Sequence, residues 1–214
     1  MKYRKLVENA KKPNGFWGKM MIKAMNKGHS SLTSWGLEHM NIERTATVLD
    51  IGCGGGKTVD RLCSIVANGK VYGIDYSELS VKSSEKLNSK NILCNKAKML
   101  QASVSDMPFD DNTFDNITAV ETYYFWPDKE NDVKEVFRVL KQGGTVMLLF
   151  EMLRTDDDPF KWEKVENMLN IKSVTPQEIR AVLESAGFEN INTYTKEGTT
   201  WLCATAQKPK DDEN

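Results

Sequence analysis

The chain has 214 residues, with 29 lysines and arginines against 30 aspartates and glutamates, for a formal net charge of −1 at pH 7. A nearly neutral chain of this length can bury one sizeable core and has no global field with which to recruit nucleic acid or anionic lipid. Its four cysteines, Cys53, Cys63, Cys94 and Cys203, show no C-x-x-C pairing, which argues against a zinc knot or a disulfide framework and suits a reducing cytoplasm. The longest apolar run, Val146 to Phe150, is far too short to span a bilayer, so a soluble, cytoplasmic protein with no membrane span is expected.

Residues 1–44 read as an N-terminal helical segment set apart from the rest. From Met1 to Gly28 eight lysines and arginines (Lys2, Arg4, Lys5, Lys11, Lys12, Lys19, Lys23, Lys27) face Glu8 alone. Trp17, Met20, Met21 and Ala24 fall on one helical face. A basic amphipathic helix can lie on a membrane or grip nucleic acid. A helix packed on the domain with its lysines in water is the simpler reading. His29 falls in the turn Asn26-Lys27-Gly28-His29-Ser30-Ser31 between two expected helices.

The run Val48-Leu49-Asp50-Ile51 is too short for a helix and too apolar for an exposed loop, which predicts a buried parallel strand. It breaks at once into Gly52-Cys53-Gly54-Gly55-Gly56, where glycines allow a positive φ and a ligand's close approach to the main chain. Two nucleotide-binding patterns fail here by one residue each. A P-loop needs glycine where Ile51 stands, and the dinucleotide fingerprint G-x-G-x-x-G needs glycine where Lys57 stands.

Beyond the loop, Val59, Leu62, Cys63 and Val66 recur at helical spacing. Val71-Tyr72-Gly73-Ile74-Asp75 is a second short strand closed by an acid, 19 residues past Gly56, where a carboxylate can accept both hydroxyls of a ribose. Gln101 to Phe109 follows a third strand, and Phe114 to Glu121 reads as a fourth, leading into Thr122-Tyr123-Tyr124-Phe125-Trp126-Pro127. Val133, Val136, Phe137 and Leu140 mark another helix face, and Val139 to Gly144 a turn into a fifth strand. Thr175-Pro176-Gln177-Glu178 is a capping box opening a helix with Ile179, Val182, Leu183 and Ala186 on one face and Gly187 as its stop. Two short strands, about 190–196 and 199–206, close the chain before a polar tail, 208–214, expected to be disordered. Strand and helix alternate throughout, which implies βαβ units and a parallel sheet.

The order D-x-G-x-G-x-G, Asp75, Met107-Pro108-Phe109 and Leu140-Lys141-Gln142-Gly143-Gly144 resembles the class I S-adenosylmethionine-dependent methyltransferases of small-molecule type over roughly residues 45–206. Gln142 stands where that family usually has proline, and Ser103 where it usually has an acid toward the adenine amine. The resemblance implies an α/β fold: a doubly wound, seven-stranded, mostly parallel sheet with the last strand antiparallel and helices on both faces. The domain would run over 45–207 beneath an N-terminal helical lid. It further implies S-adenosylmethionine as cofactor, S-adenosylhomocysteine as product, and a small-molecule acceptor. By position, Asp50, Gly52, Cys53, Gly54, Gly56, Asp75, Tyr76, Ser77, Ser103, Val104 and Glu121 would bind the cofactor.

The segment after the fourth strand would face the donor, which makes Glu121 and Tyr124 catalytic candidates and Tyr123, Tyr124 and Trp126 acceptor-pocket candidates, with Asp128 beside them. Phe16, Trp17, Met20 and Met21 would close over the pocket as a lid, excluding water. Of the two histidines, His29 and His39, the first is the better placed as a general base. Glu121-Thr122-Tyr123-Tyr124 replaces the D/N-P-P-Y/F motif of amino-group methylation on DNA bases or glutamine. No convincing set of carboxylates for a metal-dependent catechol-type enzyme is apparent, so no metal is expected. Two other classes stay open: an NAD-type oxidoreductase, and a non-catalytic cofactor-binding or partner-binding module.

Overall fold

The short apolar runs become the strands of one seven-stranded sheet, in the order β3-β2-β1-β4-β5-β7-β6. A computed structural model describes residues 13–210, apart from the side chains of residues 23–27. The basic residues Lys2, Arg4, Lys5, Lys11 and Lys12, the side chains of Lys23, Ala24 and Lys27, and residues 211–214 therefore lie outside the described residues. In chain order the elements are α1 (Gly15–Gly28), α2 (Ser30–Leu37), β1 (Thr47–Ile51), α3 (Lys57–Ile65), β2 (Lys70–Asp75), α4 (Glu78–Leu87), α5 (Ser89–Leu93) and β3 (Ala97–Gln101). There follow β4 (Phe114–Val120), α6 (Lys129–Val139), β5 (Leu140–Phe150), α7 (Glu163–Leu169), α8 (Pro176–Ser185), β6 (Glu189–Thr195) and β7 (Leu202–Gln207). The first five strands pair in parallel, and β7 runs antiparallel between β5 and β6.

Alternation along the central strands divides the core into two layers. Val48 and Val71 face the expected stripe of α3, with Val59, Leu62, Cys63 and Val66 all buried there. Leu49, Ile117, Val146 and Leu148 point the other way, onto Val133 and Val136 of α6 and Ile179 and Leu183 of α8. The capping box of α8 forms reciprocally: Thr175 Oγ1 accepts from Glu178 N while Glu178 Oε2 accepts from Thr175 N.

Two features differ from expectation. The turn at Gln142-Gly143-Gly144 is absorbed into β5, where pairing with β4 slips from Phe114↔Leu140 to Asn116↔Thr145. Lys208 does not begin a free tail. Its backbone exchanges hydrogen bonds with Gly143 (2.8 Å) and Gly144 (3.0 Å), and its ammonium donates to the carbonyls of Phe137 (2.8 Å) and Leu140 (2.9 Å). At the N-terminal end, Leu32 of α2 is buried among Met147, Leu149 and Cys203. The absence of a side chain at Gly36 permits this close seat.

A Cβ at Gly36 would lie 2.7 Å from Leu149 Cδ2 and 2.8 Å from Leu149 Cδ1, and Leu149 is fully buried with nowhere to move. Gly36→Val is therefore expected to cost about 1–3 kcal/mol through overpacking, read as a lower urea midpoint. An unchanged midpoint would show that α2 is not wedged against the sheet.

Candidate active site

The chain winds from β1 toward β3 on one side and resumes at β4 on the other, so a crevice opens at the carboxyl ends of β1 and β4. Gly52 crosses it with φ +68°, and a Cβ there would lie 2.4 Å from Thr122 Cγ2. At Gly54, φ +51°, an added Cβ would meet only the Gly52 carbonyl at 3.9 Å, so the loop presents bare backbone to open space. Gly56 serves differently. At φ +80° it precedes α3, its carbonyl accepts from Asn88 Nδ2 (3.0 Å), and it packs against Ser84, which makes it a packing glycine.

Asp75, at the end of β2, holds the loop in place. Its Oδ2 accepts from Gly54 N (3.0 Å) and its Oδ1 from Ser77 N (2.8 Å). Burial pushes its carboxyl above the usual range, and the two backbone N–H groups work in the opposite direction. Ser77 caps α4 and donates to the Pro13 carbonyl (2.8 Å), tying the N-terminal segment to the loop; it is not a wall of the cavity. Asp50 is fully buried and pushed up to about 7 by desolvation, although Thr118 Oγ1 donates to its Oδ1 at 2.7 Å.

One cavity of about 880 Å³ runs along these groups. Asp50, Gly52, Cys53, Gly54, Asp75, Tyr76, Ser103, Val104, Glu121, Tyr124, Trp126 and His29 line it, which brings together most of the residues singled out from sequence. Seven others fall elsewhere, besides Gly56 and Ser77. Trp17 and Met20 are exposed and Met21 half-buried, because α1 turns Ile22 toward the cavity instead; Phe16 is exposed as well. Tyr123 packs edge-on against Phe150 and beside Trp126 in the core. Asp128 caps α6 through Asn131 N (3.3 Å). His39 stacks on Tyr194 with ring centroids 4.0 Å apart and does not reach the cavity.

At the far end, Glu121 adopts φ +59° and its Oε1 accepts from the Glu151 N–H. Burial pushes Glu121 up to about 8, and the nearby Glu151 charge adds to this. The Tyr124 hydroxyl accepts from Met152 N (3.0 Å), lies 3.5 Å from Glu121 Oε1, and is held well above the usual tyrosine range by burial, so it stays protonated. His29 Nε2 lies 3.9 Å from Glu151 Oε2, and burial lowers its pKa, leaving a neutral imidazole. Arg61 secures this turn by donating to the Ser30 carbonyl (2.9 Å) and hydroxyl (3.0 Å).

Sequence reasoning missed Glu151, although it closes the apolar run of β5 just as Asp75 closes β2. It also missed Lys129, Glu166, Asn170 and Ile171 of the outer wall, which carry no motif.

A family pattern described as a methyltransferase domain matches residues 49–148, from β1 into β5. The Bacillus subtilis (strain 168) methyltransferase YdaC is 27% identical over 183 residues, covering 85% of this chain and 93% of its own. The ubiquinone/menaquinone biosynthesis C-methyltransferase UbiE of Cronobacter sakazakii is 31% identical over 181 residues, covering 73% of this chain and 72% of its own. The chain belongs to the class I S-adenosylmethionine-dependent methyltransferases. Its fold agrees with the crystal structure of an S-adenosylmethionine-dependent methyltransferase from Aquifex aeolicus, at TM-score 0.67 and 21% identity, covering 86% of this chain and 95% of that one.

The methyltransferase therefore uses S-adenosylmethionine, and the NAD-type alternative falls away. The residues present fit that cofactor: a glycine cradle open to the cavity, an acid fixed beside it, and room for a cofactor together with an acceptor.

Asp50 supplies a pH signature. Its pKa is raised in the fold, so its contribution to stability is full below about pH 4 and is lost as pH rises through about 7. Asp50→Asn keeps an acceptor for Thr118 and has no charge to bury. The ligand-free variant is expected to gain about 1–3 kcal/mol over the parent at pH 8, with the gap closing toward pH 4 in urea titrations. A gap constant across that range would mean that Asp50 titrates as an ordinary carboxylate.

Proposed function

We propose that this methyltransferase carries a methyl group to a nucleophilic O, N, C or S atom of a small molecule held between Trp126, Tyr124 and the His29–Glu121–Glu151 cluster. The observation that carries this reading is the continuity of one cavity from the Asp75–Gly54 clasp to that cluster. When bound, the cofactor supplies a sulfonium-activated methyl for in-line displacement.

Each of this chain's groups then has a role. Asp75 accepts ribose hydroxyls with the lone pairs left over from Gly54 and Ser77. The bare backbone of Gly52 and Gly54 admits the aminoacyl end, and Ser103 with the Val104 N–H faces the base. Trp126 and Phe125 exclude water around the reacting atoms. Tyr124, protonated, orients the Glu121 carboxylate. The acceptor is activated at the end of the cavity where His29 stands, its imidazole kept neutral by burial. Among the described residues no helix is long and apolar enough to cross a membrane, and we place the reaction in the cytoplasm.

Thermal unfolding with S-adenosylhomocysteine, NAD and ATP in parallel tests the reading: only the first should raise Tm, by the equivalent of about 2.7 kcal/mol at 100 times Kd. Asp75→Ala should weaken S-adenosylhomocysteine by about 1–3 kcal/mol, and parental affinity would remove Asp75 from the ribose. Once an acceptor is in hand, His29→Ala is expected to lower kcat by about 10²-fold or more with cofactor affinity intact. Unchanged turnover would return His29 to a structural role.

A further inference from the structure

His29, Glu121 and Glu151 come from three separate places: the α1–α2 turn, the end of β4 and the end of β5. One ligand atom from each lies within 4.8 Å of the other two. All three retain uncommitted lone pairs. The hydrogen bonds to Glu121 both go to Oε1, leaving Oε2 without one. Among the described residues the His29 ring and the Glu151 carboxylate meet only each other, at 3.9 Å, and no lysine or arginine pairs with either glutamate. Among the described residues two carboxyl groups with no cation beside them and one imidazole thus converge as a candidate metal-ligand set.

We propose that this cluster binds a divalent transition-metal ion at the acceptor end of the cavity. Resting on the methyltransferase reading above, the ion holds and polarises an oxygen of the acceptor. Bonds of about 2.0–2.2 Å put neighbouring ligand atoms roughly 3–3.5 Å apart, so the 3.9 Å between His29 and Glu151 must close by about half an ångström, and separations of up to 4.8 Å within the cluster by more. Glu151 can supply that movement, since its side chain is 47% exposed, and its exposure also gives the ion a way in. Glu121 is the fixed ligand: its carboxylate is buried and oriented by the Glu151 N–H and the Tyr124 hydroxyl, as outer-shell partners orient a metal ligand. One imidazole with two carboxylates suits Zn²⁺, Mn²⁺ or Fe²⁺ better than Ca²⁺ or Mg²⁺, which favour all-oxygen shells. Three protein ligands leave positions open toward the cavity, where an acceptor hydroxyl or enol oxygen fits.

The tag-free 214-residue chain titrated with Mn²⁺ (by paramagnetic resonance) and with Zn²⁺ (by calorimetry) tests the site, with Mg²⁺ as the weak-binding control. One ion per chain is expected, with affinity falling at least about tenfold in both Glu151→Gln and His29→Ala. The shift in Tm with S-adenosylhomocysteine, measured on the same samples, should persist in both variants and certifies that they are folded. Absence of stoichiometric binding, or binding unchanged by both substitutions in protein that still responds to S-adenosylhomocysteine, overturns the metal site and leaves the methyltransferase reading standing. Metal binding that follows the two variants in a parent that shows no response to S-adenosylhomocysteine supports the site and overturns the reading of the reaction on which its acceptor role rests.

Discussion

The Asp75 carboxylate holds three parts of the site in one geometry. Its two oxygens take the Gly54 and Ser77 N–H groups, so the glycine loop after β1 cannot move independently of the start of α4. Ser77 extends the chain of bonds to the Pro13 carbonyl, and thereby to the segment carrying Ile22 and His29 at the cavity wall. A polar group buried to this degree is costly unless bonded, and here two of its bonds are to backbone donors that no side-chain substitution can remove. The result is a clasp in which the glycine loop, the start of α4 and Pro13 of the N-terminal segment share one anchor.

The second constraint is the approach of β1 and β4. Gly52 and Thr122 meet at a distance that allows no Cβ, and this contact brings the loop of one strand against the Glu121 turn of the other. Glu121 takes a left-handed backbone conformation that a non-glycine residue enters at a cost. Its carboxylate is fixed there by the N–H of Glu151 on the neighbouring strand end. The two ends of the cavity are thus set by adjacent strands, and their spacing follows from sheet register.

The glycine-loop half of the candidate site was legible in the sequence because it is local: an acid in a strand, glycines at fixed intervals, and a second acid after one βα unit all lie in a short stretch of chain. Gly56 and Ser77 show the limit even there, since motif position cannot tell a wall of the cavity from the packing that supports it. The acceptor half was only partly legible. His29, Glu121 and Glu151 are separated by about ninety and thirty residues, and only sheet order brings them together. The α1 face was misjudged because periodicity gives which residues share a stripe and not which stripe meets the cavity. Trp17 and Met20 fit the stripe, yet Ile22 reaches the wall.

Electrostatics joins the two halves. Asp50, Asp75 and Glu121 are all pushed above the usual carboxylate range by burial, and none forms an ion pair with lysine or arginine among the described residues. A cavity stocked with desolvated acids favours positive charge within it. The donor carries a sulfonium that the product lacks, so acids lining its site would attract the first more strongly than the second. Methyl transfer would leave a neutral thioether while the positive charge passes to the acceptor and its departing proton, so the buried acids that cost the ligand-free fold stability would hold the sulfur product less tightly than the donor.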